Sequence, residues 1–242
     1  METGPAEGVT VSRRRADGGV EEDRPWEGVD ISRLSQASPW RTFRWYSGQR
    51  HYSGTYWSAT VRDHVIYESR LELARLLLAD FDPSVRHIVA QPFLLKARVQ
   101  GKVRKHIPDY LLLTRAGPLV VDVKPSRRLE NPEVAFTFAW TRQVVQDRGW
   151  GYQVLSEPEP ALLENVRFLA GYRRDWLFPA DLLEAADGAI VDGTALGEAI
   201  GAVGGFAPEL VRAGVFHLLW SGRFTTDLRQ PLAPAHVLRR LA

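Results

Sequence analysis

Two acidic residues and a lysine interrupt two strand-length apolar runs between residues 104 and 124. The runs flank a short break containing Gly and Pro, a pattern that predicts a β-hairpin. With a two-residue turn at Ala116-Gly117, Asp109 lies opposite Lys124. The same pairing of the two strands fixes the position of Asp122. Because side chains alternate along a strand, Asp109, Asp122 and Lys124 then project from one face.

Such a group suits the hydrolysis of a phosphodiester. Two carboxylates and an ammonium are costly to bury without compensation, and Mg²⁺ takes carboxylate oxygens as ligands. A carboxylate-held Mg²⁺ supplies an activated water and neutralises phosphate charge. Lys124 can orient the water or stabilise the developing negative charge, and the Val123 carbonyl could complete the metal shell. The simpler alternative is a structural ion pair between Asp and Lys near a sheet edge.

A third acid stands on a predicted helix. Leucines and charges alternate between Tyr67 and Phe81 at helical spacing, and Asp82-Pro83 ends the pattern. Ser69 followed three residues later by Glu72 matches the capping-box pattern. Glu72 therefore either caps the helix or directs its carboxylate at a site on the sheet, and the pattern leaves both open.

The elements around the hairpin indicate an α/β fold. They are a strand at 85–99 interrupted at Gln91-Pro92, a helix at 131–148, a strand at 150–155 and a helix at 161–172. Helices alternating with strands predict a mixed sheet covered on both faces.

The chain after residue 172 changes character. Three short helices (181–184, 194–200 and 208–220) precede two short strands (223–228 and 236–241), the order of a winged helix. The helix at 208–220 is apolar on most sides, which favours docking to a protein over reading a DNA groove. His217 within it is expected to be a core histidine.

The chain before the hairpin divides into two segments. Residues 1–38 lack a hydrophobic period and predict a mobile arm, whose basic cluster at 13–15 is a solvated tail or a contact to DNA phosphates. Residues 40–67 interleave aromatics with arginines, as in a small sheet packed on a core or a surface that stacks on bases. These aromatics are Trp40, Phe43, Trp45, Tyr46, Tyr52, Tyr56 and Trp57.

The composition excludes several classes of protein. The 242 residues contain no cysteine, so a metal would be held by Asp, Glu, His or backbone oxygens. A net charge of +2 does not by itself indicate nucleic acid, and a GC-rich genome would also produce the excess of Arg over Lys. No apolar run reaches the roughly 18 residues of a membrane span and no signal-peptide core is present, so we expect a cytoplasmic protein.

The motifs together resemble a known family. Pro108-Asp109 followed by Asp122-Val123-Lys124 resembles the PD-(D/E)XK nuclease superfamily. Ser69 to Glu72, the leucine helix, Phe81-Asp-Pro, Val85, Gln91-Pro92 and Pro125 extend the likeness. With these flanks, residues 38–242 resemble the TnsA family, the endonuclease subunit of heteromeric transposases.

The resemblance implies a fold and an activity. The fold is a restriction-endonuclease-like mixed sheet at 39–172 followed by a winged-helix-like domain at 173–242. Glu72, Asp109 and Lys124 take the family's catalytic positions, and Asp122 stands where some members carry Gln. Glu72, Asp109, Asp122 and the Val123 carbonyl would then hold Mg²⁺, with Mn²⁺ as a substitute. We therefore expect an active enzyme.

The resemblance also implies partners. TnsA-like proteins cut the 5′ ends of a transposon in double-stranded DNA, while a DDE-type transposase subunit cuts the 3′ ends. They contact an AAA+ ATPase regulator through their C-terminal region. Two alternatives stay open: a free-standing restriction, repair or defence nuclease, and a non-catalytic assembly factor of transposition.

Overall fold

The computed structural model describes residues 4–41 and 52–241, which divide into two compact units. The first unit holds the described residues up to Ala79 together with Ser84–Glu157, and the second holds Asp80–Pro83 and the chain from Pro158 onward. The expected boundary at residue 172 therefore lies at 157/158. The helix that follows belongs to the second unit, because Asn165 donates hydrogen bonds to the backbone oxygens of Leu228 and Gln230.

The first unit contains ten strands and three helices among the described residues. In chain order they are β1 (Glu7–Arg14), β2 (Val20–Pro25), α1 (Ile31–Ser35), β3 (Gly54–Ser58), β4 (Asp63–Tyr67), α2 (Arg70–Phe81), β5 (Val85–Ala90), β6 (Leu94–Val99), β7 (Lys102–His106), β8 (Tyr110–Thr114), β9 (Gly117–Val123), α3 (Pro132–Asp147) and β10 (Gly151–Leu155). The last two residues of α2 fall in the second unit.

The hairpin lies at the centre of a four-stranded mixed sheet with the strand order β10-β9-β8-β5. β10 runs parallel to β9, and the other neighbours are antiparallel. Leu111 and Val120 on one face share a core with Trp140 of α3. Leu112 and Val121 on the other face share a core with Leu76 of α2. The expected mixed sheet with helices on both faces is confirmed.

The hairpin pairs in a register displaced by two residues from the expected one. Thr114 pairs with Gly117 and Tyr110 with Val121, so the two-residue turn is Arg115-Ala116. The Thr114 hydroxyl accepts a hydrogen bond from the Ala116 N–H and donates one to the Gly117 oxygen, and Gly117 has a φ of +119° that favours glycine. An even displacement leaves every side chain on its predicted face.

The strand expected at 85–99 divides at Gln91 into strands of two different sheets. Gln91 has a φ of +47°, which turns the chain out of the hairpin's sheet after β5. β6 then joins a second four-stranded sheet with the order β2-β1-β6-β7. Gln91-Pro92 is thus a corner between two sheets rather than an irregularity within one strand.

The expectation of a mobile arm at residues 1–38 is wrong for the described residues 4–38. β1 pairs with β6 across the sequence, and Val11, Trp26 and Leu34 are buried in the core shared with α3. The indole N–H of Trp26 donates a 3.0 Å hydrogen bond to the Val144 oxygen. The Arg148 guanidinium lies over the rings of both Trp26 and Trp150. Three buried apolar residues therefore anchor this polar segment to the core.

Replacing Trp26 with Phe is expected to lower the free energy of unfolding by about 1.5 kcal/mol. The smaller ring loses buried area and leaves the Val144 carbonyl without its indole donor. Urea unfolding followed by circular dichroism measures the change, and the exposed Val20→Ala on β2 is the control. An unchanged midpoint for Trp26→Phe would mean that this segment does not contribute to the core.

The strands expected among the aromatics of residues 40–67 are present where the structure describes them. β3 and β4 form an antiparallel pair from Gly54↔Tyr67 to Ser58↔Asp63. Phe43, Trp45 and Tyr46 lie outside the described residues.

The second unit contains four helices and a two-stranded ribbon among its described residues. They are α4 (Pro160–Leu169), α5 (Ala180–Ala189), α6 (Leu196–Ala202), α7 (Pro208–Trp220), β11 (Phe224–Thr225) and β12 (Arg239–Arg240). His217 of α7 is buried, stacks on Phe178 and contacts the Tyr172 oxygen through Nδ1, so it is the expected core histidine. The order of helices and ribbon is that of the expected winged helix, which stays a prediction. None of the described helices is both long and apolar enough to cross a membrane.

Candidate active site

Glu72 stands in the first turn of α2 and completes a capping box. Its N–H donates to the Ser69 hydroxyl at 3.1 Å, and that hydroxyl donates to Glu72 Oε1 at 2.8 Å. The Glu68 N–H donates to Glu72 Oε2 at 2.7 Å. The cap is therefore real, and the same carboxylate lines a cavity. Burial raises the pKa of Glu72.

Asp109 immediately precedes β8 and binds the backbone of the neighbouring strand. Its Oδ2 accepts a 2.6 Å hydrogen bond from the Val123 N–H. Burial, followed by the charges of Asp122 and Glu72, raises the pKa of Asp109 well above its usual value, and the Val123 bond and Lys124 oppose that change only in part. The three acids thus interact electrostatically, and the charges of Asp122 and Glu72 disfavour the ionised form of Asp109.

Asp122 is almost fully buried and accepts hydrogen bonds from two side chains. His106 Nε2 lies 2.9 Å from Oδ1 and 3.0 Å from Oδ2, and the Tyr152 hydroxyl donates to Oδ2. Burial, together with the neighbouring Asp122 charge, raises the pKa of Tyr152 far above its usual range, which keeps the phenol protonated. Asp122 is therefore the centre of a buried hydrogen-bond network formed by β7, β9 and β10.

Lys124 follows β9 directly. Its N–H donates to the Leu155 oxygen at 2.9 Å and its own oxygen accepts from the Ser156 hydroxyl at 2.8 Å, so the backbone is fixed against β10. The ammonium lies 6.0 Å from the centre of the Phe138 ring. In the described part of the chain Lys124 forms no salt bridge, so the alternative of a structural Asp–Lys ion pair is not what the structure shows.

Glu72 and Lys124 share the wall of one cavity of about 540 Å³ in the first unit. Both acidic and basic side chains line it, together with Val123 and Pro125. Its lining residues are Arg41, Ser53, Glu68, Ser69, Leu71, Glu72, Val123, Lys124, Pro125 and Arg128. A cavity of this size admits one phosphate group with its neighbouring sugar.

Sequence reasoning missed a polar network beside this cavity. The Gln91 side chain donates to Glu68 Oε1 at 2.7 Å and accepts from the Arg41 N–H at 2.8 Å, while its N–H donates to the Asp109 oxygen at 2.8 Å. Arg41 also pairs with Glu68 at 3.1 Å. Gln91 thereby connects the chain at Asp109 to the turn before α2. The break at Gln91-Pro92 was visible in the sequence, but not its partners.

The structure brings the predicted residues to one region without forming a three-acid ligand set. Glu72 and Asp109 interact through their charges, and Asp122 interacts with Asp109 while bound to His106 and Tyr152. Among residues 4–41 and 52–241, no three His, Asp or Glu side chains are placed to hold a metal ion. The assignment of Asp122 as a metal ligand stays a prediction.

Comparison with known proteins adds one finding. Residues 82–157 match the family model described as TnsA-like endonuclease N terminal. This region, about a third of the chain, is similar to the N-terminal domain of TnsA-like endonucleases. The match includes Asp109, Asp122 and Lys124, and with them Gln91, His106 and Tyr152, whereas Glu72 lies before it. No curated protein matches the chain.

The similarity to TnsA-like endonucleases falls on the part of the first unit that contains the hairpin. The matched residues run from the start of β5 to the end of β10, and so contain the whole sheet that carries Asp109, Asp122 and Lys124. The helix with Glu72 packs on that sheet through Leu76.

Proposed function

We propose that the protein is a metal-dependent DNA endonuclease subunit of a heteromeric transposase, hydrolysing phosphodiesters at the 5′ ends of a transposon. The observation that carries the proposal is the presence of Glu72 and Lys124 on the wall of one cavity, together with an Asp109 whose pKa is raised by burial and by the charges of Asp122 and Glu72. A DDE-type transposase subunit and an AAA+ ATPase regulator are the proposed partners.

The donor set fits Mg²⁺ by chemical type and by charge. Carboxylate oxygens are the preferred ligands of this ion, and a divalent cation would offset the excess negative charge around Asp109. Each carboxylate oxygen keeps a lone pair after accepting one hydrogen bond, so the capping bonds of Glu72 leave it able to bind. Asp109 and Glu72 would hold the ion, with Asp122 as the expected third acid. When bound, Mg²⁺ or Mn²⁺ supplies an activated water and neutralises phosphate charge.

The side chains of this chain have separate tasks in the proposed reaction. Lys124 stabilises the negative charge that develops on the phosphate oxygens, because it lines the cavity and its ammonium forms no salt bridge among the described residues. The Val123 N–H fixes the orientation of Asp109, and the Ser69 hydroxyl together with the Glu68 N–H fixes that of Glu72.

Replacing Lys124 with Ala is expected to lower the cleavage rate by about 10²–10³-fold, the usual cost of removing one preorganised group from a developing negative charge. Strand-resolved gels measure 5′-end cutting of transposon-end duplexes with Mg²⁺, with and without the two proposed partners. Lys102→Ala, an exposed lysine on β7, is the matched control.

Three outcomes separate the candidate functions. The proposal is supported if cutting requires the partners and is lost in Lys124→Ala but not in the control variant. Cutting of plain DNA by the isolated chain would instead indicate a free-standing nuclease. If Lys124→Ala cuts as fast as the unchanged protein, the cavity is not the catalytic site.

A further inference from the structure

Arg128 is a second cation on the wall of the cavity that contains Glu72 and Lys124. It ends a short turn of 3₁₀ helix, Ser126–Arg128, that follows Pro125 directly after β9. Its N–H donates to the Pro125 oxygen at 2.8 Å, and its own oxygen accepts from the Asn131 N–H at 3.2 Å. The backbone of Arg128 is therefore fixed between the end of β9 and the start of α3.

The charge of Arg128 is not neutralised within the described part of the chain. Its side chain is exposed and has no salt bridge or hydrogen bond there. Arg41, the third cation of the cavity wall, is paired with Glu68. The pKa of the Glu157 carboxyl is lowered chiefly by a hydrogen bond from the Ser126 N–H and to a smaller extent by the charge of the neighbouring Arg127. The two arginines of one turn thus differ: Arg127 has an acidic neighbour, and Arg128 faces the cavity.

We propose that Arg128 binds a phosphate of the DNA backbone adjacent to the bond that is cut, and so positions the strand over Asp109 and Lys124. The inference rests on the proposed function and deepens it. The planar guanidinium presents two parallel N–H groups to a phosphate, which an ammonium cannot do. A cation at this position also offsets the repulsion between the DNA backbone and the acidic Glu68 and Glu72 on the same wall.

DNA binding without metal tests this role separately from catalysis. Fluorescence anisotropy of a fluorescein-labelled 30-base-pair duplex in EDTA gives Kd between about 50 and 200 mM NaCl, and the slope of log K against log salt counts phosphate contacts. Arg128→Ala is expected to raise Kd about fivefold at the lowest salt and to reduce the slope by about one. Arg128→Lys is expected to restore the slope but only part of the affinity.

Two arginine variants control for charge alone. Arg127→Ala removes the neighbouring charge in the same turn, and Arg115→Ala removes an exposed arginine at the far end of β9. Both are expected to leave Kd within twofold and the slope unchanged. Equal melting temperatures of all variants show that the fold is retained.

The outcomes are decisive in either direction. An unchanged slope for Arg128→Ala, or an equal loss for Arg127→Ala, overturns the assignment of the phosphate contact to Arg128. A reduced slope in Arg128→Ala together with full cleavage by Lys124→Ala would keep the phosphate contact and reject the proposed catalytic site.

Discussion

Replacing Asp109 with Asn is expected to abolish DNA cleavage and, in the metal-free protein, to raise the melting temperature. Both effects have one cause. The carboxylate is held partly buried beside Asp122 and Glu72, an arrangement that raises its pKa and suits a cation but destabilises the fold when none is bound. Asn keeps an oxygen that accepts the Val123 N–H and removes the charge.

The pH dependence of this stabilisation has a defined sign. Because the folded pKa of Asp109 lies above the unfolded one, the folded state binds more protons, and the wild-type protein loses stability as the pH rises from about 4 through the folded pKa. The Asp109→Asn variant lacks this contribution. The difference in melting temperature should be near zero at pH 4 and about 2–4 °C at pH 8, as roughly 1 kcal/mol produces in a chain of this length.

Differential scanning calorimetry in EDTA, together with the cleavage assay, measures both effects. Asp63→Asn on the exposed end of β4 is the control for removing a carboxylate away from the site, and we expect it to change neither. An Asp109→Asn variant that melts below the wild type at pH 8 would contradict the account of buried charge. One that still cleaves would remove Asp109 from the catalytic set.

The sequence predicted the face on which the site residues lie better than it predicted their pairing. Strand alternation has a period of two, so a displacement of two residues leaves each side chain of β8 and β9 on its predicted face. The hydrogen bond of the Thr114 hydroxyl and the positive φ of Gly117 stabilise the observed turn instead of the expected Ala116-Gly117 turn.

Contacts between distant segments could not be predicted in the same way. Residues 1–38 look disordered when their composition is averaged, yet Trp26 binds the Val144 oxygen 118 residues later. The capping box of Glu72 was visible because it is local, whereas His106 and Tyr152 come together at Asp122 only through sheet topology. No local pattern marks such partners.

Removing the Asp122 side chain is expected to cost more stability than any other single change at the site. In Asp122→Ala the His106 N–H and the Tyr152 hydroxyl lose their acceptor in a buried position. Leaving buried partners of a charge unpaired costs about 3 kcal/mol or more, which lowers the melting temperature by roughly 6–12 °C at this chain length. Tyr152→Phe removes only one donor and is expected to cost about 1 kcal/mol.

This expectation changes how a loss of activity at Asp122 is to be interpreted. A loss of cleavage in Asp122→Ala could result either from unfolding or from a missing metal ligand. Calorimetry should therefore compare the Mg²⁺ affinity of Asp122→Asn with that of the wild type at a temperature where both are folded. A double-mutant cycle of Asp122→Ala with Tyr152→Phe should give a coupling of about 1–3 kcal/mol if the two side chains stabilise each other. A melting temperature of Asp122→Ala within about 2 °C of the wild type would instead show that the carboxylate is accessible to water. In that case the buried hydrogen-bond network would not prevent Asp122 from binding the metal ion directly.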